Sequence, residues 1–373
     1  MKKLCLLITI SFIVSIGFCQ KVSKNFIYDG LDRNYIEYVP SVYDSLSAVP
    51  LVICLHGLGD TMTNFAGIGM NYVADTANFI VVTPQAINSP YGTAWNSGAS
   101  YMSYVLNASV DDVGFINALI DTVSASYNID QTRVYATGFS MGGFMSNRLA
   151  CELNNRIAAI ASVSGTIGTT LTCNPGRTIS VCHFHGTADP TVSYTANQYG
   201  NDPEELVNFW SANNNCDTTP VYTALPDIAA DGYTIDHYVY QNGDDNTEVE
   251  FYKVNGGGHE WLSLPANDVS YIIEIWNFFN KHKLIPSSYI NNIAYKSDIK
   301  IYPNPAIDIV NILNLNKKSV YIIITDIKGT VIYQEQINRK DNVSINISNF
   351  SKGIYFLKII TDKYSDVKKL IIE

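Results

Sequence analysis

One stretch limits what this chain can fold into more than any other: Arg133-Val134-Tyr135-Ala136-Thr137-Gly138-Phe139-Ser140-Met141-Gly142-Gly143-Phe144-Met145. It reads as a strand, a Gly-x-Ser-x-Gly turn and a helix. A serine on so tight a turn is lifted off the sheet edge with its hydroxyl exposed. Gly138 and Gly142 suit places where a side chain would collide with neighbouring backbone. Met141, Met145 and Leu149 recur at helical spacing, so a helix begins directly after the serine. Its free N–H groups and positive dipole end point where an oxyanion would form. A strand before and a helix after make Ser140 a nucleophile in preference to an ordinary turn residue.

Apolar runs repeat the strand half of this pattern. Pro50–Leu55, Phe79–Thr83, Ile157–Val163, Ile179–Phe184 and Val249–Val254 are continuous, as suits strands buried on both faces of a parallel sheet. Phe26–Tyr28 and Tyr35–Val39 flank Asp29-Gly30-Leu31-Asp32 and read as a hairpin. Helical faces alternate with the runs. One is Val113, Ile116, Leu119, Ile120 and Val123, begun by Asp111 and Asp112. A second follows Asp202-Pro203-Glu204-Glu205, with proline in the first turn. A third is Val269, Ile272, Ile273, Trp276 and Phe279. Alternating strands and helices predict an α/β fold with a mainly parallel sheet, whose chemistry gathers at the carboxyl ends of the strands.

The helical pattern fades after Lys283. From Ile299 the chain holds only short β-like runs: Ile307–Leu313, Val320–Thr325, Val331–Gln336, Val343–Ile347, Ile354–Ile360 and Leu370–Ile372. They predict a small β-sandwich. Residues 1–19, with Lys2, Lys3 and the short apolar run Leu4–Phe18, read as a signal peptide. The organisation expected is a signal peptide over 1–19, an α/β domain over 20–283, a linker over 284–298 and a β-sandwich over 299–373. Phe18 is bulky for a lipoprotein signal, which disfavours lipidation of Cys19, and no later segment is long enough to span a membrane. The net charge of −10 argues against a nucleic-acid partner. Cys54, Cys151, Cys173, Cys182 and Cys216 remain after the leader, an odd number, so at least one thiol is free. Cys54 and Cys182 sit in strand-like runs as buried thiols. Cys151 and Cys173 are the pair expected to form a disulfide.

A serine hydroxyl needs a base, most often a histidine oriented by a carboxylate. His259 stands in Asn255-Gly256-Gly257-Gly258-His259-Glu260-Trp261, directly after a strand-like run, and is the base expected. Asp189, in His185-Gly186-Thr187-Ala188-Asp189-Pro190, also follows a strand and is the acid expected. His237 lies in a strand-like piece and reads as structural; His282, between Lys281 and Lys283, reads as solvated or facing a helix dipole. His183 and His185 alternate on one strand, but no third ligand at fitting spacing supports a metal, and no cofactor is implied. The oxyanion donors expected are the backbone N–H groups of Met141 and Leu58, the latter after Leu55-His56-Gly57. His56 then shapes the loop. Trp95 and Trp261 read either as substrate-stacking residues or as core.

The same motifs, in the same order over residues 25–283, resemble the secreted feruloyl esterase and polyhydroxybutyrate depolymerase group of α/β-hydrolases. Asp111-Asp112-Val113-Gly114-Phe115 belongs to the set, and Leu262 departs from it where proline is expected. The resemblance implies a serine carboxylester hydrolase with Ser140 as nucleophile, Asp189 as acid and His259 as base. Its expected substrates are feruloyl or acetyl esters of plant polysaccharides, with a polyhydroxybutyrate-type polyester as the alternative. A serine peptidase is a weaker reading, since no large accessory domain precedes the motifs. A surface-displayed binding module with a silent triad is the non-enzymatic reading. The C-terminal block resembles the sorting domain of type IX secretion, through Tyr302-Pro303-Asn304-Pro305, Asp326-Ile327-Lys328-Gly329, Gly353-Ile354-Tyr355 and Lys368-Lys369-Leu370-Ile371. That implies export through the periplasm to the cell surface or medium, with the type IX machinery as partner.

Overall fold

The computed structural model describes residues 20–102, 104–285, 299–313, 315, 320–327, 330–338, 340–360 and 365–373. The signal-peptide reading of 1–19 and most of the expected linker lie outside them. Contacts divide the chain into two compact units, Met1–Pro286 and Ser287–Glu373.

The first unit is built on a ten-stranded sheet. Its strands are β1 (Gln20–Tyr28), β2 (Leu31–Val39), β3 (Val49–Leu55), β4 (Ile80–Pro84), β5 (Ile129–Phe139), β6 (Ala159–Val163), β7 (Ser180–Gly186), β8 (Val221–Ala224), β9 (Thr234–Tyr240) and β10 (Val249–Asn255). They lie in the order β1-β2-β4-β3-β5-β6-β7-β10-β9-β8. The inner block from β4 to β10 is parallel. The edge pairs β1–β2 and β9–β8 are antiparallel, as are their junctions with β4 and β10. Asp29 and Gly30, both with positive φ, make the tight turn between β1 and β2.

Successive side chains of a strand point to opposite faces, so an inner strand must be apolar throughout. β3 is buried at every position. Leu51, Ile53 and Leu55 enter one core, and Val52 and Cys54 enter the other. The helices are α1 (Met62–Phe65), α2 (Met70–Ala77), α3 (Asp112–Ser126), α4 (Met141–Glu152), α5 (Pro203–Asn213) and α6 (Tyr271–Phe279). Side chains of α3, α4 and α5 fill the first core, and those of α1, α2 and α6 fill the second. Asp111 caps α3 by accepting from the Gly114 N–H at 2.9 Å. Asp202 and Glu205 cap α5 reciprocally.

α6 departs from the expected face. Its buried residues are Tyr271, Ile275, Phe278 and Phe279, whereas Ile273 is exposed and Val269 precedes the helix. His282, expected to be solvated or to face a helix dipole, is buried, with its Nδ1 3.1 Å from Ser180 Oγ and its Nε2 3.2 Å from Glu248.

The second unit has two antiparallel sheets. One joins Lys300–Tyr302, Ile309–Leu313 and Val343–Asn346. The other joins Val331–Ile337, Val320–Asp326, Gly353–Ile360 and Ser365–Ile372. Val310, Ile312 and Ile345 of the first share a core with Ile322, Ile324 and Leu357 of the second. The last strand begins earlier than the apolar run Leu370–Ile372 announces, because Lys368 and Lys369 interrupt its pattern.

Candidate active site

Ser140 sits between β5 and α4 with φ 55° and ψ −121°. A non-glycine residue there costs on the order of 1–3 kcal/mol and persists only if its neighbours fix it. They do: the Ser140 N–H donates to Val163 O at 2.8 Å, and its carbonyl accepts from the Gly143 and Phe144 N–H groups. A Cβ on Gly142 would collide with the Leu55 carbonyl, and one on Gly138 with the Gly142 carbonyl. The turn therefore closes only with glycine at both positions.

Asp189 follows β7 and His259 follows β10, adjacent parallel strands, so both loops leave the same sheet edge. The loops are stitched together: Thr187 N–H donates to Val254 O, and Ala188 N–H to Gly257 O, each at 2.9 Å. Asp189 Oδ1 accepts from the Thr191 and Val192 N–H groups at 2.8 Å. Its Oδ2 lies 2.8 Å from His259 Nδ1. A carboxylate only accepts, so Nδ1 carries the proton and Nε2 is left as the basic nitrogen. Burial opposes ionisation of Asp189, but the bond and charge of His259 and the two backbone donors outweigh it and hold the carboxyl below its usual value. The His259 ring rests on Phe139, the residue before Ser140, at 4.7 Å between centroids. Ser140 and His259 face one cavity of about 420 Å³, a size suited to a small ligand.

Leu58 and Met141 line the same cavity. Among the described residues, the backbone N–H of neither finds an acceptor in the protein. His56 shapes the Leu58 loop from beneath. Its Nδ1 lies 2.8 Å from Gly57 O and must donate, so its Nε2 accepts from Gln85 Nε2 at 2.9 Å and from the Ala86 N–H at 3.1 Å. Burial disfavours a charge on this ring and lowers its pKa.

Trp95 is absent from the cavity lining, so of its two readings the core one fits and the substrate-stacking one does not. It is 1% exposed, and its Nε1–H donates to His56 O at 2.9 Å, bracing that loop from the core. The next residue, Asn96, is fixed by Asp112, which accepts its N–H at 2.7 Å and forms a fully buried pair with Arg33 at 2.6 Å. Asp112 is thus an anchor as well as a helix-start residue. Trp261 is also absent from the cavity wall. It packs edge-on against Phe65, Phe139 and Tyr271, so its part is to support Phe139 from the core side. Leu262, where proline was expected, is buried in the same core.

His183 and His185 form a chain without metal geometry. His185 Nε2 lies 2.8 Å from Val192 O and must donate, so its Nδ1 accepts from His183 Nε2 at 3.1 Å. His183 Nδ1 then accepts from Ser162 Oγ at 2.8 Å. Both rings are fully buried, and burial holds both pKa values down. The chain ends beside Asp189, with His185 Nε2 3.6 Å from Asp189 Oδ2. Spacing alone could not have announced it: two alternate histidines without a third ligand read as structural, but the pattern does not say which groups their rings bond. Cys151 and Cys173 form a disulfide that ties the end of α4 to the loop after β6. Cys54 and Cys182 are buried free thiols, and Cys216 is half-buried. Among the described residues, no three His, Cys, Asp or Glu side chains gather as a metal site, and no helix is long and apolar enough to cross a membrane.

Residues 42–223 match the family model described as Phospholipase/Carboxylesterase, and residues 300–373 match the Secretion system C-terminal sorting domain. The chain is 28% identical over 235 residues to Feruloyl esterase B of Piromyces equi, which covers 61% of this chain and 42% of that protein. It therefore spans less than half the length of that relative. It is 30% identical over 218 residues to the Aspergillus oryzae protein named "Probable feruloyl esterase C", covering 57% of this chain and 72% of that one. The solved acetyl xylan esterase from Aspergillus awamori, 18% identical, matches with a TM-score of 0.50 over 71% of this chain and 99% of its own, a likeness of fold. The parallel sheet, the serine turn between β5 and α4, and these matches lead to one conclusion: the chain belongs to the phospholipase/carboxylesterase family of α/β-hydrolases and carries a secretion-system C-terminal sorting domain.

Proposed function

We propose that this protein is an exported serine carboxylester hydrolase that removes feruloyl or acetyl groups from plant polysaccharides. The observation that carries the reading is the His259–Asp189 bond beside a strained serine turn on one cavity. Ser140 Oγ attacks the ester carbonyl carbon while His259 Nε2 takes its proton. The Leu58 and Met141 N–H groups receive the oxyanion. His259 returns the proton to the departing alcohol oxygen as the C–O bond breaks, leaving the acyl group on Ser140. Water then attacks the acyl carbon, its proton going to His259 and on to Ser140 Oγ as the acid leaves.

The names of the curated relatives favour feruloyl and acetyl esters, and the matched sorting domain supports type IX export. The cavity wall, with Ala99, Phe144 and Val192 among its apolar members, suits an aryl or short acyl group. Labelling with a fluorophosphonate probe tests the nucleophile: wild type reacts and Ser140→Ala does not. Hydrolysis of methyl ferulate, acetylated xylan and a polyhydroxybutyrate film, run side by side, tests the substrate. Turnover of the film alone would favour the polyester reading, and no labelling or turnover would leave a silent binding module.

A further inference from the structure

We propose that a ridge of tyrosines leading out of the cavity binds the neutral carbohydrate chain that bears the ester, an inference that rests on the esterase reading above. Tyr101 and Tyr199 line the cavity beside Ser140 and His259. Their rings are nearly parallel, at 11° and 6.2 Å between centroids. Tyr91 meets Tyr101 edge-on at 5.0 Å, and Tyr104 stands 6.3 Å beyond Tyr91. The hydroxyls of Tyr91 and Tyr104 are hydrogen-bonded at 2.8 Å. The series passes from the cavity wall to open surface, where Tyr91 is 39% and Tyr104 is 47% exposed.

The ridge is built, not incidental. Tyr91, Tyr101 and Tyr104 are carried by two small hairpins, Ile87–Ser89 with Gly92–Ala94 and Ser100–Tyr101 with Tyr104–Val105. Asn107 Nδ2 ties both strands of the first hairpin, donating to Ile87 O and Ala94 O. The Gly59 N–H donates to Thr93 O at 2.8 Å, and Thr93 Oγ1 donates to Asp60 O. Gly92 has φ 99°, and a Cβ there would lie 2.8 Å from Gly59 Cα. The ridge is therefore fastened to the loop that carries Leu58.

A tyrosine presents a flat apolar face and a hydroxylated edge, and fixing it costs little side-chain entropy. Sugar rings offer the complement: C–H faces to stack and hydroxyls to pair. The segment 91–104 that bears Tyr91, Tyr101 and Tyr104 contains no charged residue, and a net charge of −10 disfavours a polyanionic chain. A polyester has no hydroxyls along its backbone to use the polar edges. A contiguous exposed aromatic patch running out of a catalytic cavity is placed to hold what extends from the bound ester.

The test replaces the two outer residues, neither of which touches the cavity, in the full chain. The double variant Tyr91→Ala/Tyr104→Ala is expected to lose about tenfold in kcat/KM on feruloylated xylan, the size of two lost aromatic contacts. It should hold its kcat/KM on methyl ferulate and bind de-esterified xylan more weakly in affinity electrophoresis. Tyr91→Phe/Tyr104→Phe, which keeps the rings, should recover most of the binding. Equal losses on both esters, unchanged action on xylan, or a loss confined to polyhydroxybutyrate film would each overturn the ridge. A wild type that hydrolyses no ester would sink the esterase reading instead, and the electrophoresis would still decide the ridge.

Discussion

The two oxygens of Asp189 are divided between two tasks: Oδ1 takes the Thr191 and Val192 N–H groups, and Oδ2 takes His259 Nδ1. That division predicts the outcome of Asp189→Asn. The backbone donors will draw the amide oxygen to themselves, which turns the NH₂ group toward His259. Nδ1 must then accept, Nε2 carries the proton, and the base we propose for Ser140 is lost. We expect kcat on methyl ferulate to fall about 10⁴-fold with the fold intact by circular dichroism, as in other triads given the wrong tautomer. His259→Ala should fall by orders of magnitude as well. Near-wild-type turnover in either variant would remove that residue from the mechanism.

Trp95 bears on the site through His56, whose carbonyl takes its Nε1–H and whose ring lies 5.2 Å from its own. Trp95→Phe keeps most of the buried volume and leaves that carbonyl without its donor. The expected cost is about 1–2 kcal/mol in urea unfolding. The ratio of kcat/KM between methyl ferulate and an acetyl ester should stay as in wild type. A changed ratio would return Trp95 to the role of a substrate-stacking residue.

His185 links Val192 O to the ring of His183 in the buried interior. His185→Phe strands a donor on His183 and the Val192 carbonyl together. Stability should drop by about 2–4 kcal/mol, the cost of two buried groups losing partners. Val192 also donates to Asp189, so kcat should fall while KM for methyl ferulate changes little. An unchanged kcat would confine the histidine chain to a purely structural part.

What the sequence made legible follows from sheet physics. Apolar runs bounded by polar residues identify β3, β5, β7 and β10, and a parallel sheet brings their carboxyl ends to one edge. The residues just past those ends, near positions 57, 140, 189 and 259, are therefore neighbours before any contact is known. Other features carry no period. The hairpins bearing Tyr91, Tyr101 and Tyr104 have strands of two or three residues, too short to alternate visibly. α6 is apolar on nearly every side, so the phase of its buried face was set by packing on β5 and β7, and Ile273 was misassigned. Trp95 follows the Arg33–Asp112 pair into the core, a contact between residues 79 positions apart that no local pattern reveals.

The disulfide closes a separation of 22 residues between the end of α4 and the loop after β6. Chain-entropy reasoning assigns such a loop about 3 kcal/mol. Reduction, or Cys173→Ser, should lower unfolding free energy by that amount while leaving fluorophosphonate labelling of Ser140 in place under native conditions. A shift near zero would mean that the reduced unfolded chain is already compact there.

Glu248 gives the fold an acid dependence. Burial opposes its ionisation, but His282 and Lys281 outweigh that and hold its carboxyl at about 2, against an ordinary value of 4.5. The folded value is the lower one, so the unfolded chain binds the proton first as pH falls. Its stabilising contribution is fully present above 4.5 and is lost progressively as pH falls toward about 2. Glu248→Gln removes that titration. Its stability should lie below wild type at pH 6, and the gap should narrow between pH 4.5 and pH 2 in urea titrations. A constant gap across this interval would show that the carboxylate gains nothing from His282 and Lys281.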